Sequence, residues 1–115
     1  ENNTMPCTPV GAEAGLAAYA ASKAALIALT QTLALEEGAA VRFNVVCPGQ
    51  VATRMMRRIT EDTVLLRRSE ARIPLGRLAS AQEVAETICW LLSSSASFVN
   101  GAVIPVDGGE TSGLR

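Results

Sequence analysis

Val41-Arg42-Phe43-Asn44-Val45-Val46-Cys47-Pro48-Gly49 decides the fold of this 115-residue chain. Its β-branched and aromatic residues read as a strand over 41–47, and the Pro-Gly pair ends that strand in a turn. The stretch just before it is of the opposite kind. From Gly15 to Glu37 the chain is dominated by Ala, Leu, Ile, Lys, Gln and Glu, nearly all strong helix formers, and Gly38 stands where a helix C-cap glycine belongs. A long helix feeding a strand within a few residues predicts α/β architecture.

Downstream, residues 52–73 carry Arg54, Arg57, Arg58, Arg67, Arg68 and Arg72, with Thr60 as the expected N-cap of a helix. After Pro74 and Gly76, Ser80-Ala81-Gln82-Glu83 fits a capping box, and Val84, Ile88, Leu91 and Leu92 continue it as an apolar helical stripe. Asn100-Gly101 marks a turn, and Ala102 to Val106 reads as a second strand that Pro105 places at an edge. Asp107-Gly108-Gly109 ends it. Strand, helix-bearing crossover and strand form a βαβ unit, expected to be right-handed with parallel strands.

Upstream, residues 1–14 hold Pro6, Pro9 and Gly11 and read as an irregular arm or at most a short edge strand. Two or three strands make a truncated parallel sheet, so other chains complete it or the chain is a piece of a larger fold. Within the long helix, Leu26, Leu29 and Leu33 form one apolar stripe. Ala17, Ala21, Ala24, Ala25 and Ala28 leave a second surface small enough for close approach of a partner helix. The lone Trp90 reads as core or interface.

Composition narrows the function classes. The formal net charge of -1 gives no global attraction to nucleic acid or membrane, and aromatic residues make up only 3% of the chain, so no stacking platform accompanies the arginines. Glu61, Asp62 and Glu70 partly offset those arginines, which read as a solvated helix face or a docking patch for a phosphate-bearing or acidic ligand. Cys7, Cys47 and Cys89 are scattered and histidine is absent, so neither a disulfide framework nor a metal site is legible. No apolar run reaches the roughly 20 residues of a membrane span. The expectation is a soluble cytoplasmic protein.

Tyr19-Ala20-Ala21-Ser22-Lys23 supplies the chemistry. Four-residue spacing puts a phenol and an ammonium on one face of the helix, one turn apart. A free phenol titrates near pH ~10, and poising one near neutrality takes about 3–4 kcal/mol of preferential stabilisation of phenolate. A fixed cation in a poorly solvated site provides it. An isolated Tyr-x-x-x-Lys is common on solvated helices, so its neighbours decide the matter.

Those neighbours are Asn44-Val-Val-Cys-Pro48-Gly49-Gln-Val51-Ala-Thr53, then Pro74-Leu-Gly76-Arg77, then Asn100-Gly101 through Val106-Asp107-Gly108-Gly109. In this order and spacing, from about Gly15 to Gly109, the chain resembles the C-terminal half of the short-chain dehydrogenases/reductases. The resemblance implies a partial, doubly wound Rossmann-type fold with an irregular arm over 1–14 and the family's C-terminal half over 15–115. It implies NAD(P)-dependent interconversion of a carbonyl and an alcohol on a small molecule. Tyr19 matches the family's general acid/base. Lys23 matches the lysine that holds the nicotinamide ribose hydroxyls and favours the phenolate, and Pro48, Gly49, Val51 and Thr53 match the turn that lies against the nicotinamide.

The resemblance also implies absences. The family's glycine-rich dinucleotide loop, first strands and relay asparagine would precede Glu1, and Gly11 with Gly15 does not form that loop. The family's catalytic serine falls in the region Thr4-Met5-Pro6-Cys7-Thr8, where Thr4 or Thr8 offers a hydroxyl. Binding of NAD or NADP by this chain alone is therefore in doubt, and inactivity of the isolated chain is expected. A second expectation is a non-catalytic binding or assembly module. Both share a homo-oligomer built through the 15–37 helix and the last helix and strand.

Overall fold

A computed structural model describes residues 2–6 and 15–112. Three strands, β1 (Asn2–Pro6), β2 (Arg42–Pro48) and β3 (Val103–Val106), form one sheet in the order β1-β2-β3. All neighbours are parallel, with Thr4 beside Asn44 and Val46 beside Ile104. The N-terminal residues thus form an edge strand, the second of the two readings of that segment. Pro105 lies on the opposite edge, where its missing N–H costs no ladder bond.

Four helices connect or flank the strands: α1 (Ala17–Glu36), α2 (Arg57–Thr60), α3 (Thr63–Arg72) and α4 (Ala81–Leu92). Alternation along β2 assigns α1 and α4 to opposite faces. Val45 and Cys47 pack with Ile27 of α1, while Val46 packs with Leu91, Ala96, Val84 and Ile88 on the α4 side. This is the layering of a doubly wound sheet, built on three strands.

Local signals held where the stabilising contact is local. Ser80 accepts from Glu83 N while the Glu83 side chain accepts from Ser80 N at 2.8 Å, the predicted capping box. Three expectations change. Thr60 ends α2, and Asp62 caps α3 by accepting from Val64 N and Leu65 N at 2.8 and 3.0 Å. Leu29 is 46% exposed, and the inward face of α1 instead follows Ala20, Lys23, Ile27, Thr30 and Ala34, with Leu26 and Leu33 half-buried beside it. Leu92 turns away from the core of α4, and Trp90 is 44% exposed, which removes it from the core.

Gly38 follows the C-cap residue Glu37, but its φ is not positive. Space is what demands glycine there. A Cβ on Gly38 would lie 2.3 Å from Ala34 O and 2.6 Å from Asn100 Nδ2. Asn100 fills that space because Nδ2 donates to Ala34 O (3.1 Å) and Oδ1 accepts from Phe43 N (2.8 Å), bracing the end of α1 against the start of β2.

Candidate functional site

Topology carries Tyr19 and Lys23 to one end of the sheet. The chain passes from the carboxyl end of β1 into α1, and α1 returns to the amino end of β2 at the Asn100 brace. The 20 residues of α1 span about 30 Å, against about 23 Å for the seven residues of β2. The first turns of α1 therefore reach the carboxyl end of the sheet, where ligands of open α/β sheets bind.

At that end Tyr19 is 48% exposed and Lys23 is half-buried, with Lys23 Nζ 5.5 Å from the Tyr19 ring centroid. An ammonium over a phenol face at this range is a cation–π contact, and it holds the charge close to the group whose Oη would give or take a proton. Ser22 Oγ donates to Tyr19 O at 2.7 Å, so this hydroxyl serves its own helix. The N-terminus of α1 has Leu16 at its cap position, with no side-chain cap and no acidic residue in the first turn.

Pro48, the last residue of β2, and Gly49, Val51 and Thr53 after it occupy the same end. Gly49 N donates to Val106 O at 3.0 Å, and Thr53 N donates to Val51 O at 2.8 Å. Val51 bridges Ala79, with Ala52 N donating to Ala79 O and Ala79 N to Gln50 O at 2.8 and 3.0 Å. Thr53 is exposed, and its side chain does not cap the short 3-10 turn Arg54–Met56 that follows. At Gly49 an added Cβ would lie 2.7 Å from Asp107 Cβ and 2.8 Å from Asp107 Cα, so the chain there has room only for glycine.

Asp107, which the sequence marks only as the end of the last strand and as part of the resemblance, organises a loop with Glu110 and Thr111, a role the sequence motifs do not assign. Asp107 is 8% exposed and accepts from Gly109 N at 2.9 Å, from Thr111 N at 3.0 Å and from Thr111 Oγ1. Burial works to raise its carboxyl, and the hydrogen bonds from Thr111 and Gly109 outweigh burial, so it sits below its ordinary value of 3.8. Asp followed by Gly-Gly and, four residues on, Thr is a local turn pattern that could have flagged the loop.

Thr4 lies on β1, and Thr8 and Cys7 fall outside the described residues. The arginines are exposed. Arg57 pairs with Glu61 at 2.7 Å and Arg72 with Glu110 at 3.5 Å, so the basic stretch is partly neutralised from within and from the C-terminal loop. Among the described residues, no helix is long and apolar enough to cross a membrane, and no cluster of His, Cys, Asp and Glu could hold a metal ion.

Residues 7–111 match the family model described as enoyl-(acyl carrier protein) reductase. The chain is 43% identical to meso-2,3-butanediol dehydrogenase of Serratia marcescens over 110 residues, 95% of this chain and 43% of that protein. Its structure resembles 4-hydroxyisoleucine dehydrogenase complexed with NADH, with TM-score 0.93, 30% identity, and coverage of 98% of this chain and 48% of that one. It also resembles a gluconate 5-dehydrogenase from Burkholderia cenocepacia in complex with NADP and tartrate, with TM-score 0.88, 27% identity, and coverage of 98% and 46%. The chain thus spans less than half the length of these relatives. With the motifs, the α/β layering and these matches in agreement, the chain belongs to the short-chain dehydrogenase/reductase family, whose members use NAD or NADP.

Proposed function

We propose that this chain is the proton-transfer and nicotinamide-facing portion of an NAD(P)-dependent carbonyl/alcohol oxidoreductase, and that it is inactive in isolation. The observation that carries this reading is the Lys23 ammonium 5.5 Å from the Tyr19 ring centroid, on the helix that reaches the carboxyl end of the sheet. Tyr19 Oη exchanges the proton with the substrate oxygen. Lys23 stabilises the phenolate and donates to ribose hydroxyls. The Pro48, Gly49, Val51 and Thr53 turn lines the nicotinamide side, with the Thr53 hydroxyl and backbone groups as its polar contacts.

A bound nicotinamide cofactor would supply the hydride in its reduced form and accept it in its oxidised form. The donors present fit the nicotinamide end of such a cofactor, and nothing in the 115 residues supplies the Gly-x-Gly-x-x-Gly loop that holds a pyrophosphate. Millimolar NADH or NADPH should therefore raise the thermal midpoint of the isolated chain little, and a Tyr19→Phe change should leave that midpoint unaltered because Tyr19 is 48% exposed. In a complete enzyme carrying this sequence, Tyr19→Phe should lower kcat by at least about 100-fold, the usual scale for loss of a general acid/base. Unchanged turnover would remove Tyr19 from the reaction.

The alternative is a non-catalytic assembly module of the same descent. It is favoured by the exposure of Leu35 (89%) on α1, Trp90 (44%) near the end of α4, Phe98 (103%) in the turn beyond it and Val103 (38%) on the β3 edge. Both readings place a homo-oligomeric contact there, in a cytoplasmic protein, and light scattering at micromolar concentration tests it. A monomer with a cooperative melt would overturn the assembly reading.

A further inference from the structure

We infer that the C-terminal loop 107–111 is the element that fixes the Pro48 to Thr53 turn in place, with Asp107 and Glu110 as its positioning residues. The functional weight of this inference rests on the proposed reading that the turn faces the nicotinamide; the mechanical part does not.

The turn is gripped from two sides. One side is the backbone bridge to Ala79, with Ala52 N and Gln50 O as partners. The other is the 107–111 loop, which approaches so closely that only glycine fits at 49, against Asp107 Cα and Cβ. Gln50 Nε2 donates to Glu110 Oε1 at 2.7 Å, and Arg72 Nε lies 3.5 Å from the same oxygen. Glu110 therefore ties the turn to the end of α3.

The loop itself has little freedom. Gly108 and Gly109 have φ of 62° and 89°. Their added Cβ atoms would meet Ile73 Cγ2 at 2.7 Å and Pro74 Cγ at 3.0 Å, so the loop is held beneath as well as above. The shape of the loop depends on the Asp107 carboxylate, whose Oδ1 accepts from Gly109 N and whose Oδ2 accepts from both Thr111 N and Thr111 Oγ1. Two acceptor oxygens serve three donors. An amide at 107 would turn an NH2 group toward donors on one side or the other, so Asn is not an equivalent of Asp here. A hydroxyl at 111 is needed as well, and serine can supply it where valine cannot.

Amide hydrogen exchange on the 115-residue chain, followed by NMR, tests this. Asp107→Asn and Thr111→Val should speed exchange at Gly49 and Ala52 by about tenfold or more, leave Ile88 and Leu91 in α4 unchanged, and be matched by wild-type behaviour in Thr111→Ser. If Asp107→Asn loses the fold, the Thr111 pair decides. Unchanged exchange at Gly49, or an equal rise at Leu91, overturns the positioning role. A complete enzyme carrying this sequence, which holds the pyrophosphate elsewhere, separates the two layers: a rise in KM for NADH in Thr111→Val that Thr111→Ser does not share supports both. An unchanged KM removes the nicotinamide reading while leaving the exchange result to judge the loop.

Discussion

The two faces of β2 are packed unequally. On the α4 side, Val46, Leu91 and Ala96 are buried together, with Val84, Ile88, Val99, Ile104 and Val106 around them. Polar groups close the same layer: Arg42 Nη1 donates to Val99 O at 2.9 Å, Arg42 Nη2 to Leu91 O at 2.6 Å, and Asn44 Nδ2 to Val99 O at 2.9 Å. On the α1 side, Val45 and Cys47 meet Ile27, and in all 20 residues of α1 Thr30 alone is buried. The layer that sustains itself is therefore the one without the candidate chemistry. The helix that carries Tyr19 and Lys23 rests on the thinner interface and leaves Leu16, Leu29 and Leu35 exposed.

The largest effect should come from truncating the better-packed face. Leu91 is 1% exposed, so Leu91→Ala should cost about 3 kcal/mol, from lost burial and an unfilled cavity. Ile27 is only partly buried against the other face, and Ile27→Ala should cost about half as much. Urea denaturation of both variants measures the contrast, and equal or reversed losses would break it. A loss between those two, about 2 kcal/mol, should follow Asn44→Ala. Asn44 is 2% exposed and satisfies Val99 O and Ala102 N, at 2.9 and 3.0 Å, and its removal leaves both without that partner.

The same contrast explains what the sequence made legible. The capping box at Ser80 was readable because donor, acceptor and helix lie within four residues. The strand at 41–47 was readable because both its faces are covered, which selects a continuous run of β-formers. Tyr19 and Lys23 were readable as a pair because helical spacing alone brings them together. The inward stripe of α1 was misjudged at Leu29, since with alanine on several sides the helix has no single apolar face, and the sheet rather than the periodicity chooses which side is buried. Thr60 is the cap the sequence suggests, and the Asp62 carboxylate, able to accept from two amides at once, takes the position instead. The demand behind Gly49 comes from Asp107, far away in the chain, so nothing local announces it, and at Gly38 Asn100 adds a distant constraint to the local one from Ala34 O.

The smallest predicted effect concerns the start of α4, where the better-packed face is electrostatically anchored. Arg77 grips Glu83 with Nη1 at 2.9 Å and Nη2 at 2.7 Å, and Ser80 N and Oγ donate to the same carboxylate at 2.8 and 3.1 Å. Arg77 first, then Ser80, pull the Glu83 carboxyl from 4.5 down to about 2. A carboxyl depressed on folding contributes its full stability above its unfolded value and loses it as pH falls through the folded one. The stability difference between wild type and Glu83→Gln should thus be largest above pH 4.5 and close as pH falls toward about 2. The pair is solvent-exposed, so the difference is small and shrinks with salt. A gap independent of pH would mean that Glu83 acts through shape alone. The uncapped start of α1 has no such carboxylate, so its amides should show no matching acid transition. If α1 loosened in step with α4, the two faces of β2 would be one cooperative unit, and the thinner face would not be the independent element that its packing describes.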